Sequence, residues 1–184
     1  SRGDRAADLV PGLATSWTVD AADKTKWVFK LRPGVKFHDG SDFDAAAVVW
    51  NFDKILKEDS PQFDRRQSGQ GRTRIPSVKS YRVSDPLTVE FTTSAPNALA
   101  PFEISWIVMS SPAQWEKVGR NWDAFLRAPS GTGPFKLDRY VPRERAELVP
   151  NADYWDVKRR PKVSRLVLIP MPEATARTSA LLSG

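Results

Sequence analysis

The chain has a single histidine, His38, in the stretch FHDGSDFD with Asp39, Asp42 and Asp44 close by. An imidazole beside carboxylates could hold a metal ion or form a hydrolytic dyad. Metal sites, however, ordinarily join several His, Cys or well-spaced carboxylates, and these aspartates have turn or cap tasks instead. Asp39 precedes Gly40 in a tight turn, and Asp44 stands where a helix N-cap belongs. The stretch GTGPF (131–135) is glycine-rich but lacks the length of a phosphate loop and its Lys-Ser/Thr pair. Its glycines suit a tight entry into a strand starting near Phe135. There is no G-x-S-x-G elbow and no cysteine, so nucleophilic catalysis has little to work with. No enzyme activity, no metal and no cofactor are expected.

Charge offers a second kind of chemistry. Lys and Arg number 28 against 22 Asp and Glu, a formal net charge of +6. That excess raises nucleic acid or an acidic surface as partners. The positive charge gathers in DRRQSGQGRTR (64–74), DRYVPRER (138–145) and DVKRRPK (156–162). No recognition-helix pattern and no stacking aromatics at RNA-sheet spacing accompany these runs, which read as solvated basic loops. One of their arginines could still serve a pocket.

The elements that would position such groups are written in periodicity. At 184 residues, 40% hydrophobic and 10% aromatic, the chain can bury a real core as one domain or two small intertwined subdomains. No apolar run approaches bilayer length and no signal peptide opens the chain, so a mature or trimmed soluble segment is expected. LATSWTV and KWVFKLR alternate, with Trp27, Phe29 and Leu31 on one face, and predict a hairpin. Asp44 begins a helix in which Val48, Phe52, Ile55 and Leu56 recur at helical spacing. VKSYRV and LTVEFTT flank the turn residues SDP and predict a second hairpin. NALAPFEISWIVM reads as a short helix running into a buried extended segment. Ser111 before Pro112, and Asn121, offer N-caps for two further short helices. GTGPFKLDRYV pairs with RAELVPN. VSRLVLIP, apolar on both faces, predicts a strand covered on both sides, and a helix follows Pro172. Strands and helices do not strictly alternate, so a mixed α/β or α+β domain follows.

Several of these blocks together carry a resemblance. PGLATSWTVDAADKTKWVFKLRPGVKFHDG, the DFDAAAVVWNFDKIL helix, SVKSYRVSDPLTVEFTTSAP and the run from PSGTGPFKLDRY to ALLSG resemble, in order, the family 5 extracellular solute-binding proteins. These are the peptide, dipeptide and nickel receptors of bacterial ABC importers. Two local departures stand out: Asp23-Lys24 replaces the usual Asp-Gly in the first hairpin turn, and Ala47 replaces an acidic residue three positions after the cap. Both concern local stability.

The resemblance implies a clamp of two lobes with the mixed α/β (α+β), periplasmic-binding-protein-like cluster C fold, of which this chain is the first lobe with an accessory subdomain. Residues 1–128 would form the accessory subdomain and the start of the first lobe, including the hairpins and helix 44–57. Residues 129–184 would form part of the main first-lobe sheet. An N-terminal strand and the second lobe are expected to lie outside the chain, leaving edges that favour self-association. A ligand (oligopeptide, opine, sugar or nickel) would close the clamp, and the membrane permease would recognise the closed form. The setting is periplasmic or extracellular, free or membrane-anchored, with no nucleic acid as partner. The family's first-lobe contacts resemble SPQFDRRQSG (60–69) and EISWIVMSSP (103–112). They point to Trp106 as an aromatic wall, Ser105 as a hydrogen-bonding group, and Arg65 or Arg66 as a carboxylate clamp. A tryptophan in an apolar segment also fits core packing, and a loop arginine also fits plain solvation. Trp17, Trp27, Trp50 and Trp155 are assigned to packing. From another class, a basic interaction module binding nucleic acid or acidic surfaces remains the alternative, distinguished by its steep salt dependence.

Overall fold

The computed structural model describes residues 8–183. Its first alternating stretches form strands β1 (Ala14–Val19) and β2 (Lys26–Leu31), paired antiparallel with Trp17 opposite Phe29. Side chains alternate across a strand, so Trp27, Phe29 and Leu31 share one face, and all three are buried. The connecting turn needs no glycine. Asp20 accepts the N–H groups of Ala22 and Asp23, and Asp23 accepts the N–H and hydroxyl of Thr25, so side-chain oxygens do the work of turn backbone.

β3 (Val78–Asp85) and β4 (Thr88–Thr93) form the second hairpin, closed by the Leu87 N–H donating to Asp85. The four strands make one antiparallel sheet in the order β1-β2-β4-β3. Helix α1 (Ala45–Leu56) lies on it. Asp44 caps α1 through the Ala47 N–H at 2.8 Å, and no acidic residue in the first turn returns a bond, so the cap acts alone. Phe52 meets Phe91 at 4.8 Å between ring centres, and Phe91 meets Phe29 at 5.3 Å, which makes the seam of the core. Tyr81 joins its edge, its hydroxyl donating to Asp53 at 2.8 Å.

The run 64–74 is not a loop. Residues Arg65–Arg74 form helix α2, capped by Asp64, whose carboxylate accepts the Arg66 N–H at 3.0 Å. Its buried face consists of Ser68 and Gly71. A Cβ on Gly71 would lie 2.5 Å from Ile55 Cγ2, and the Ser68 hydroxyl donates to the Ile55 carbonyl at 2.8 Å. The helix docks through smallness, so a search for large apolar residues at helical spacing finds nothing there.

Three short helices follow: α3 (Ala100–Ile104), α4 (Pro112–Lys117) and α5 (Trp122–Arg127), the last two capped by Ser111 and Asn121 as the sequence predicts. The segment after α3 departs from expectation. Ile107 is buried, but Trp106 and Val108 are exposed by 38% and 73%. Apolar character there does not mean a buried strand; Ser110, rather than a sheet, fixes its path, as described below.

The chain divides into two compact units, 1–132 and 133–184. In the second, β5 (Phe135–Val141), β6 (Arg145–Pro150) and β7 (Leu166–Leu168) form an antiparallel sheet in that order. The buried Asn151 ties its base, its backbone N–H donating to the Pro134 carbonyl and its side chain to that of Gly133. The strand expected to be covered on both sides is instead exposed along its length, Leu168 by 52%. β7 is an edge strand, and helix α6 (Ala174–Ser183) in the same unit buries none of its residues. An apolar run needs a cover to become core, and this unit supplies none.

Candidate functional site

The residues around His38 resolve into structure. The His38 N–H donates to the Gly131 carbonyl at 2.8 Å, and its Nδ1 accepts the Gly131 N–H at 3.3 Å, which staples the turn to the loop before the second unit. Asp42 pairs with Lys36, and Asp44 caps α1. Burial pushes the Asp39 carboxyl up, but hydrogen bonds from Ser111, Ser41 and Ser130 outweigh it and hold the group below the usual carboxylate range. Among the described residues no three His, Cys, Asp or Glu side chains converge as metal ligands.

The segment carrying Ser105 and Trp106 is built differently. Glu103 on α3 accepts the Asn97 amide at 2.8 Å and the Ser77 hydroxyl at 2.6 Å, fixing the helix to the start of β3. Ser105 follows as the C-cap, its hydroxyl donating to the Phe102 carbonyl at 2.7 Å, and it remains exposed. Trp106 then projects with its ring edge-on to Phe102 at 6.0 Å, and the Arg74 guanidinium lies over its face at 4.9 Å. Exposed Leu99 and Val108 stand on the same stretch of chain.

The far end of the segment is pinned from behind. Asn51, fully buried on α1, donates to the Ser110 carbonyl and accepts the Ser110 N–H, both at 2.9 Å. Lys54, one turn on and also fully buried, donates to the Ser110 hydroxyl at 3.0 Å and lies 5.5 Å from the Trp122 ring centre. Burial lowers its pKa to about 8, against the pull of Asp64. Trp50, Trp115 and Trp122 close around this region with ring centres 5.7 to 6.0 Å apart. These tryptophans pack, whereas Trp106 keeps 38% of its surface exposed.

The expected site residues are not all brought together. Ser105 and Trp106 adjoin each other. Arg65 and Arg66 open α2, whereas Arg74, which touches Trp106, ends it; Arg66 and Arg74 are separated by about 12 Å of helix rise. Arg66 donates to Asp123 at 2.7 Å and reaches Asp64 at 3.5 Å, while Arg65 is exposed. Sequence reasoning missed Arg74 and the Asn51–Lys54 shelf. The shelf did leave a signal: Asn51 occupies a position three after Val48 and four before Ile55, on the apolar face, where a polar side chain must have a partner.

Around Trp106 the described residues bring together an aromatic ring, a hydroxyl and a guanidinium. The comparisons with known proteins point to a family. The model of the bacterial extracellular solute-binding proteins, family 5 Middle, matches residues 8–184. Glutathione-binding protein GsiB of Escherichia coli K12 is 31% identical over 186 residues, an alignment covering 98% of this chain and 33% of that protein. A Pseudoalteromonas dipeptide-binding protein in complex with Met-Leu shares the fold, with a TM-score of 0.83 at 23% identity over 100% of this chain and 38% of the other. The periplasmic binding protein DppA of Helicobacter pylori, in complex with the peptide STSA, gives 0.73 at 28% identity over 95% and 36%. The chain thus spans about a third of the length of these relatives. They lend no support to a nucleic-acid-binding module. The chain belongs to the bacterial extracellular solute-binding proteins of family 5.

Proposed function

We propose that this chain is part of the substrate-binding component of an ABC-type importer, which captures an oligopeptide or a related small solute between two lobes and delivers it to the membrane permease. The observation that carries the reading is the family match running from residue 8 to residue 184. The peptide, dipeptide and glutathione ligands in the relatives' names support a peptide-like solute. In this reading residues 1–128 are the accessory subdomain and the start of the first lobe, 129–184 contribute to the main sheet of that lobe, and the protein works in the periplasm or outside the cell. It catalyses no reaction; ligand closes the clamp by binding the closed form better than the open one.

Within this segment Trp106 serves as an aromatic wall of the ligand site and Ser105 as a hydrogen-bonding group, with Arg65 or Arg66 at the start of α2 as clamp for a ligand carboxylate. The half-exposed ring of Trp106, held at its edge and on one face, supports its part. The test is thermal unfolding of the full-length protein with Met-Leu, glutathione, STSA, opines, sugars and nickel. A ligand present at about a hundred times its dissociation constant stabilises the folded clamp by roughly 2.7 kcal/mol. A shift with one class names the solute; no shift with any of them rejects the receptor reading.

A further inference from the structure

We propose that Arg74 is a further residue of the first unit that reads an anionic end of the solute, and that Trp106 holds its guanidinium in place for that purpose. The inference rests on the receptor reading above and assigns a residue that sequence reasoning passed over.

The arginines of α2 differ in what they do. Arg66 is engaged by Asp123 and Asp64. Arg72 donates to the Ser68 hydroxyl, the Leu56 carbonyl and Glu58. Arg65 is exposed, and no aromatic ring among the described residues stacks on it. Arg74 alone of the four lies over a ring, and among the described residues it pairs with no carboxylate. Glu103 on α3 is engaged by Ser77 and Asn97, and among the described residues no ion pair joins it to Arg74.

That arrangement suits anion recognition. Stacking uses the face of the guanidinium and leaves the in-plane N–H groups at its edge, where a carboxylate is bound by two parallel hydrogen bonds. An arginine already ordered by a ring loses less side-chain freedom on binding than one that waves in solvent. The ring is itself fixed: Ser105 caps α3 in front of it, Glu103 anchors α3, and Ser110 is clamped behind it by Asn51 and Lys54. The ligand chemistry implied is a carboxylate-bearing solute, such as the free C-terminus of a short peptide.

The test is calorimetric titration of the full-length protein with Met-Leu, glutathione and STSA, each as the free acid and as the C-terminal amide. For the acid that binds, Arg74→Gln is expected to weaken affinity roughly tenfold or more, while leaving affinity for the amide within about twofold, as a lost charge-assisted hydrogen bond requires. Trp106→Ala should lose much of the same acid-over-amide preference, and Arg74→Lys should recover little of it because a point charge neither stacks nor forks. Arg72→Gln, whose partners are already within the protein, should keep it. Unchanged melting temperatures confirm that these exposed substitutions leave the fold intact. An acid-over-amide ratio equal to wild type in Arg74→Gln overturns the assignment while the receptor reading stands. Absence of binding by wild-type protein to any of the six probes removes the peptide-receptor reading and the role of Arg74 together.

Discussion

Strands β2 and β7 carry the same kind of sequence, KWVFKL and LVL, and meet opposite fates. β2 is central in its sheet, flanked by β1 and β4, and its inner face is sealed by the Phe29–Phe91–Phe52 stack under α1. β7 is the edge of its sheet, and every one of its residues is exposed. Of the buried apolar side chains described, only Tyr154 belongs to the second unit. Hydrophobicity is a property of the residue; burial is a property of what lies opposite. The first unit brings its own cover, and the second leaves β7 and α6 without one among the described residues.

The sharpest way to break this contrast is to truncate one side chain in each unit. Phe52→Ala should destabilise the first unit by about 3 to 5 kcal/mol, through lost burial and the cavity left behind, whereas Leu168→Ala should cost less than about 0.5 kcal/mol in the isolated chain. Denaturant unfolding followed by tryptophan fluorescence reads both. Equal costs would mean that β7 is covered in solution.

A second measurement concerns the buried cation that only the first unit possesses. Lys54 has a folded pKa of about 8, below its ordinary 10.5, so the unfolded chain binds more protons between those values. Stability therefore carries a penalty below pH 8 and rises as the pH climbs above it. Between pH 7 and 9.5 the gain should be on the order of 2 kcal/mol, and Lys54→Met should abolish that slope. The window stops there because Tyr81, whose pKa is raised by burial and by Asp53, acts in the opposite sense at higher pH. A slope that persists in Lys54→Met would assign it to another group.

The α1–α2 seam provides a smaller effect. Gly71→Ala forces a methyl against Ile55 and should cost about 1 to 3 kcal/mol, while Gly69→Ala on the same helix meets no atom within 4 Å and should be neutral or slightly stabilising. Matched melting curves of the two variants decide it. Smaller again, Asp44→Ala should cost about 1 kcal/mol, since no second side chain shares the capping of α1. Finally, the uncovered edge of β7 predicts that the isolated chain self-associates and that Leu168→Lys suppresses this in sedimentation across a concentration series. A wild-type chain that stays monomeric would count against an open edge.

Much of the fold was legible in the residues because its signals are local. The hairpins follow from alternation and Asx turns, α1 from Asp44 and the spacing of Val48, Phe52 and Ile55, and α4 and α5 from Ser111-Pro112 and Asn121. α2 escaped because its contact face is Ser68 and Gly71, residues whose value lies in letting Ile55 approach. The candidate site was half legible. Trp106 and Ser105 are neighbours in sequence, so they remained together, but Arg66 and Arg74 could be ranked only once the partners of each were known.

The sequence by itself determined the family, the order of the strands and of every helix but α2, and the absence of cysteine chemistry, because these depend on residue identity and short-range periodicity. Tertiary structure alone decided that Lys54 and Asn51 would hold Ser110, that Arg74 rather than Arg66 would stack on Trp106, and that β7 would lie bare. Each of those depends on partners tens of residues away in the chain or, for β7, on the lack of any cover among the described residues. Pairing across such distances is set by how the elements pack, and no local pattern of residues records it.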